Sequence, residues 1–210
     1  MSTNNKILRI YKSRKTILEI LETNLGYNIT DYVNFSINEI DSMFTNDQLD
    51  MLLQQKNGSK KVYIKYYLQS KQIRPQNLDN IIEDLFYVEN VLTKDDDLIV
   101  IVDDEPNDTI INKMDYLYNK DGIFVVIHNI QRLQFNILTH SLVPEMRVMN
   151  DIEIAKLIQK YNLKNKNQLP QIRRFDPQAL VLCLRPGNVV EITRDSITAI
   201  KTNYYRVCIS

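Results

Sequence analysis

The sequence predicts an α/β domain over residues 1–138 followed by a small α+β module over 139–210. Three observations predict it. Two continuous apolar runs, Leu98 to Val102 and Gly122 to Ile127, are separated by a helical pattern, as expected for strands buried on both faces. Charge changes sign between the segments, with 15 basic against 20 acidic residues before residue 139 and 11 against 6 after it. After His140 the texture shifts to caps, prolines and short strands.

The elements follow in order. Residues 6–25 carry Ile7, Ile10, Ile17, Leu18 and Leu21 at helical spacing, with Gly26 where a left-handed cap belongs. Arg14 falls on that stripe and reads as a snorkelling or paired arginine, or as a contact for a partner or phosphate. Ser36 caps a short helix with Ile37, Ile40 and Phe44 inward, Asn46-Asp47 starts another through Leu53, and Asn57-Gly58 is a turn. Lys61 to Leu68 reads as a strand. It is taken either as an edge guarded by lysines or as a tyrosine- and lysine-bearing nucleic-acid surface. Lys56, Lys60, Lys61, Lys65, Lys71 and Arg74 cluster without an intervening acid.

Pro75 opens a helix with Leu78, Ile82 and Leu85 inward, a second starts near Asp108, and a third buried strand is expected over Leu133 to Leu138. Beyond that, Asn150 with Glu153 predicts a capping box, with Ile152, Ile154 and Leu157 on the apolar face. Asp176-Pro177 predicts a cap with proline at the first helical position, and Pro186-Gly187 a turn with glycine at positive φ. Strands at 188–193 and 204–209 close the module.

Little in the chain suggests catalysis. His128 and His140 sit in separate elements, no glycines form a nucleophile elbow or a phosphate loop, and Cys183 and Cys208 lack the paired spacing of zinc ligands. Asp95-Asp96-Asp97 and Asp103-Asp104-Glu105 flank an apolar strand, where many nucleases hold magnesium. No acid is followed two residues later by lysine, so these runs are read as solvated loop ends. The expectation is no catalytic residue, no metal, no cofactor and no small-molecule substrate. Two cysteines suggest a reducing compartment, the polar start Met1 to Lys6 does not resemble a secretory signal, and no apolar run suits a membrane span.

From residue 140 a set of short motifs appears in one order: His140-Ser141-Leu142-Val143-Pro144, Leu169-Pro170-Gln171-Ile172, Asp176-Pro177, Leu184-Arg185-Pro186-Gly187, Val189-Val190, Ile192, Arg194, Ser196, Thr198-Ala199 and Tyr205-Arg206. Together they resemble the C-terminal module of the fifth subunit shared by eukaryotic nuclear RNA polymerases, which has an equivalent in archaeal RNA polymerase. Upstream the match is looser: Gly26-Tyr27 with Ile29-Thr30 resembles the end of the family's first helix, and Glu105-Pro106-Asn107-Asp108 its T-P-S-A segment. Two departures stand out. Met146 replaces a histidine, and Ile200 replaces the glycine after Thr-Ala.

The resemblance implies an N-terminal jaw domain with a nuclease-like α/β fold lacking an active site, and a C-terminal assembly domain. It implies a non-catalytic subunit that docks on the largest polymerase subunit through His140, Leu142, Val143, Pro144, Arg173, Arg174, Asp176, Pro177, Arg185, Gly187, Arg194, Tyr205 and Arg206. The jaw would meet downstream duplex DNA weakly and without sequence specificity, near Pro106, Asn107, Lys60, Lys61 and Lys65. The location implied is the nucleus for a cellular protein, or a virion or cytoplasmic viral factory for a large DNA virus. A free-standing adaptor and a nuclease-like DNA-processing protein are the alternatives.

Overall fold

The computed structural model describes residues 3–70 and 72–210; Met1, Ser2 and Lys71, the last read with the basic cluster, lie outside the described residues. The chain divides into two compact units, Met1–Asn136 and Ile137–Ser210.

The first unit runs α1 (Thr3–Leu25), α2 (Ile37–Thr45), β1 (Met51–Gln54), β2 (Lys61–Tyr66), α3 (Pro75–Ile82), β3 (Asp97–Val102), α4 (Asp108–Asp121) and β4 (Phe124–Asn129). Its sheet has the order β1-β2-β3-β4, with β1 antiparallel to β2 and the other pairings parallel. Leu98 to Val102 and Phe124 to Ile127 are all buried, each large apolar side chain contributing about 1.5–3 kcal/mol. Helix α1 adds Ile10, Ile17, Ile20 and Leu21 to the core and ends at Gly26, which takes φ +70°. Ser36 and Glu39 form a full capping box at the start of α2, and Gly122 at φ +74° closes α4.

Four expectations are corrected here. The second short helix is instead strand β1: Leu49, Met51 and Leu53 alternate inward while Leu52 and Gln54 face out, the period of a strand. Ile37 is exposed rather than inward. Strand β2 is no edge; it lies between β1 and β3, so its lysines guard nothing. Residues 133–138 form no strand, because 3-10 turns at Ile130–Leu133 and Ile137–Thr139 take up this stretch.

The second unit contains β5 (Glu145–Val148), α5 (Asp151–Lys160), β6 (Gln171–Arg173), α6 (Pro177–Val181), β7 (Val189–Ser196) and β8 (Ile200–Ile209). The sheet order is β5-β7-β8-β6, with β6 parallel to β8 and the other pairs antiparallel. Asn150 and Glu153 make the second capping box, Asp176 accepts from the Gln178 amide, and Gly187 takes φ +91°. Ile152, expected inward on α5, is exposed, and Leu157 is the residue that anchors the helix. Strands β5 and β6 are three or four residues long, too short to carry a readable pattern. Met146, Ile172, Ala179, Leu184, Val190 and Ile192 pack as one core cluster, so Met146 fills an apolar position. Among the described residues, no helix is long and apolar enough to cross a membrane.

Candidate partner-docking surface

In the second unit the His140 segment is built from tight turns. The Val143 amide donates to the His140 carbonyl at 2.9 Å, and the Leu142 amide donates to His140 Nδ1 at 3.2 Å. Gln178 on α6 donates from Nε2 to the Pro144 carbonyl at 3.0 Å, fixing the segment to the helix that Asp176 and Pro177 begin. The result is a rigid turn that holds Leu142 85% exposed. Leu142, Val143 and Pro144 share a cavity of about 520 Å³ with Arg194 and Lys201 of the β7–β8 hairpin. The Arg194 guanidinium lies over the Tyr204 ring at 5.5 Å.

The other expected docking residues gather around the 185–188 turn and strand β8. The Arg185 amide donates to Asn188 Oδ1 at 2.8 Å, and the Gly187 amide donates to the Cys208 carbonyl at 2.8 Å. Arg206 donates to the Gln171 carbonyl at 2.8 Å, and Tyr205 Oη donates to Glu191 at 3.2 Å. Arg173 is exposed on β6. Arg174 is only 2% exposed, with its guanidinium over the Phe175 ring at 5.2 Å. It belongs to the interior of its own unit and leaves the surface set, because alternation along β6 turns it inward.

Sequence reasoning missed the hairpin tip. Ile197, Ile200 and Tyr204 are exposed, and Ile200 sits at φ +61°. The signal was present as two isoleucines bracketing a tight turn, where small or polar residues are the norm.

In the first unit the three expected DNA-proximal lysines are already engaged. Lys60 Nζ lies 2.6 Å from Asp97 Oδ2, Lys61 Nζ donates to the Val91 carbonyl at 3.4 Å, and Lys65 Nζ lies 2.5 Å from Asp50 Oδ2. The acids concerned are not all solvated loop ends. Asp97 is 2% exposed, and the buried Asp96 accepts from the amides of Lys61 and Thr93. These contacts turn both carboxylates to structural work. Asn107 caps α4 by accepting from the Ile110 amide at 3.0 Å. Pro75 and Asn107, at the starts of α3 and α4, line one cavity of about 500 Å³ with Arg74 and Asp104.

Burial shifts two side chains, His128 and Cys208, from their ordinary values. Burial, then the charge of Arg132, pulls the His128 imidazole down to about 4, and burial pushes the Cys208 thiol up to about 11. Among the described residues, no three His, Cys, Asp or Glu side chains come together to hold a metal ion.

Residues 135–208 match the family described as RNA polymerase Rpb5, C-terminal domain. The chain is 45% identical over 76 residues to DNA-directed RNA polymerase subunit Rpo5 of Thermococcus onnurineus, an alignment covering 36% of this chain and 92% of that relative. Rpo5 of Pyrococcus horikoshii gives the same identity and coverage. Subunit RPABC1 of DNA-directed RNA polymerases I, II and III from Caenorhabditis briggsae is 46% identical over 77 residues, 37% of this chain and 36% of the relative. The span of the family match, 135–208, takes in the His140 turn, the Asp176 cap and the Gly187 turn. This chain therefore belongs to the Rpb5 family of DNA-directed RNA polymerase subunits.

Proposed function

We propose that the chain is a non-catalytic, architectural subunit of a multisubunit DNA-directed RNA polymerase. Unit 137–210 docks on the largest subunit, and unit 1–136 serves as a jaw beside downstream duplex DNA. The observation that carries the docking reading is apolar exposure on a rigid frame: Leu142, Ile197 and Ile200 stand in solvent on turns fixed by hydrogen bonds. Exposed apolar side chains held rigidly are what a permanent interface uses. Arg173, Arg185 and Arg194 supply the polar anchors around them, with His140, Asp176, Pro177, Gly187, Tyr205 and Arg206 shaping the turns and strands that present them.

For DNA, exposed Arg74 and Asn107 at the start of α4, with Pro106 before it, support a few backbone contacts despite neighbouring Asp104, and such contacts position without reading sequence. Lys60 and Lys65 are set behind these groups because their ammonium groups pair with Asp97 and Asp50 within the unit. A cellular protein with this role works in the nucleus, and a viral one in the virion or the cytoplasmic factory.

The test is gentle purification of a tagged chain from its native source, followed by identification of what accompanies it. Stoichiometric recovery of the two large polymerase subunits is the expected result. Recovery of the chain alone, or bound to a different protein, would replace this reading with that of a free-standing adaptor.

A further inference from the structure

Between α1 and the segment 29–40 lies a cavity of about 330 Å³, walled by Leu18, Ile29, Val33 and Ile40 and by the rings of Tyr32 and Phe35. Arg14 lines this cavity although it is only 4% exposed. Its guanidinium carbon stands 5.7 Å from the Tyr32 ring centre and 5.4 Å from that of Phe35, and Nη1 donates to the Leu49 carbonyl at 2.8 Å. Nε has no acceptor among the described residues, and no carboxylate there lies within ion-pair distance. Asp50 is taken by Lys65, by Tyr63 and by the Tyr66 amide.

At the rim, Glu22 pairs with Lys56 at 2.8 Å and Glu19 accepts from Asn136 at 3.0 Å. Lys15, also at the rim, has no carboxylate partner among the described residues. Burial pulls the Arg14 guanidinium below its ordinary value, and one carbonyl, two ring faces and the more distant charge of Asp50 compensate it only in part. An arriving carboxylate would complete it with a charge-assisted pair.

We propose that this cavity is a docking site for an acidic peptide segment of a protein partner. A Glu or Asp side chain meets Arg14, and a bulky apolar neighbour fills the wall of Leu18, Val33 and Ile40. One buried guanidinium against an apolar wall matches a carboxylate with an apolar neighbour better than a phosphate, which calls for several converging donors. Val33 and Lys15 line the cavity and are also exposed, so its mouth continues onto the surface, where a peptide backbone can run and a free small acid makes no use of it. The site belongs to unit 1–136 alone and does not depend on the polymerase reading.

The test uses the full chain and fluorescence anisotropy. The probes are a labelled Ser-Leu-Glu-Phe-Ser peptide, blocked at both ends, and its isosteric Ser-Leu-Gln-Phe-Ser control, with phenylacetate as a free-acid competitor. The Glu peptide is expected to bind at least about tenfold more tightly than the Gln peptide, the ratio for loss of one charge-assisted bond. Arg14→Gln should abolish that difference. Because Arg14→Gln removes a buried group, Val33→Asp at the exposed rim provides a second variant. It should keep the native circular dichroism and weaken the Glu peptide by at least about tenfold, through repulsion and lost apolar contact. The proposal is overturned if the two peptides bind equally, if neither binds at millimolar concentration, or if Val33→Asp leaves binding intact. Phenylacetate competing as strongly as the peptide would also overturn it, making the cavity a small-acid site.

Discussion

Residues 1–136 bury Arg14, Asp96, Asp97 and His128 among apolar side chains, whereas in residues 137–210 Arg174 is the one buried charged group among the described residues. The exposed apolar side chains run the other way, and the most exposed of them, Leu142, Ile197 and Ile200, belong to the second unit. Size accounts for part of this. A unit of about seventy residues buries a smaller share of its surface than one of about 130, and apolar groups are left over. The rest is the way each fold is fixed. In the first unit polar groups fix the fold from within: Asp96 accepts from the Lys61 amide that starts β2, and Lys60 neutralises Asp97 at the start of β3. The second unit fixes its fold with caps and turns and leaves Leu142, Ile197 and Ile200 exposed.

The sharpest way to break this comparison is acid. His128 is kept neutral by burial and by Arg132, with its folded value near 4 against an ordinary 6.5. Between those values the unfolded chain binds a proton that the folded chain does not. The contribution is therefore complete above about pH 6.5 and is lost as pH falls towards 4, amounting to about 3 kcal/mol. Urea midpoints at pH 7 and pH 4 should fall steeply for the wild type and less for His128→Leu, the remaining fall belonging to carboxylates. Equal falls in the two proteins would mean that the first unit does not store its acid sensitivity in a buried imidazole.

The next largest effect tests whether Lys60, just before β2, serves the fold or the DNA. Lys60→Met leaves the Asp97 carboxylate buried without its ammonium, at about 2 kcal/mol once the partial exposure of Lys60 is allowed for. Lys60→Met combined with Asp97→Leu should recover much of that loss, because the desolvated charge goes with its partner. In the assembled polymerase, Lys60→Met should leave the salt dependence of DNA binding unchanged. Arg74→Gln should leave stability within about 0.5 kcal/mol and lower the salt slope by about one. The opposite pattern would return DNA contact to the lysine strand.

How much of this was legible in the sequence depended on the range of the interaction concerned. Helix α1, the runs that became β3 and β4, the Ser36 cap, the Asn150 capping box and the glycine turns are written in neighbouring residues, and periodicity and cap chemistry find them. The partners of Lys60 and Lys65 are not: Asp97 and Asp50 lie far along the chain and meet those lysines only once the strands align. Strand β1 was mistaken for a helix because a short leucine-rich stretch satisfies both periods, and only pairing with β2 decides it. In the proposed docking surface the motif residues could be named from the sequence; the hairpin tip left only the trace of two isoleucines beside a turn, since exposure is a property of the completed fold. Arg174 failed for the same reason.

The smallest predicted effect bears most directly on the second unit. Ile200 pairs with Ser196 at the end of the β7–β8 hairpin and holds φ +61°, a region that a β-branched residue enters at about 1–2 kcal/mol. Ile200→Gly removes that strain, and the greater freedom of glycine in the unfolded chain offsets part of the gain. The expected gain is about 0.5–1 kcal/mol in the denaturation midpoint. The same change deletes an apolar side chain that is 83% exposed, so recovery of the large polymerase subunits with a tagged Ile200→Gly chain should fall. A chain that gains stability while losing assembly is the signature of a residue kept for its partner rather than for its own fold. Unchanged recovery would move the docking surface away from the hairpin tip towards Leu142, and a loss of stability would mean that Ile200 packs within its own unit.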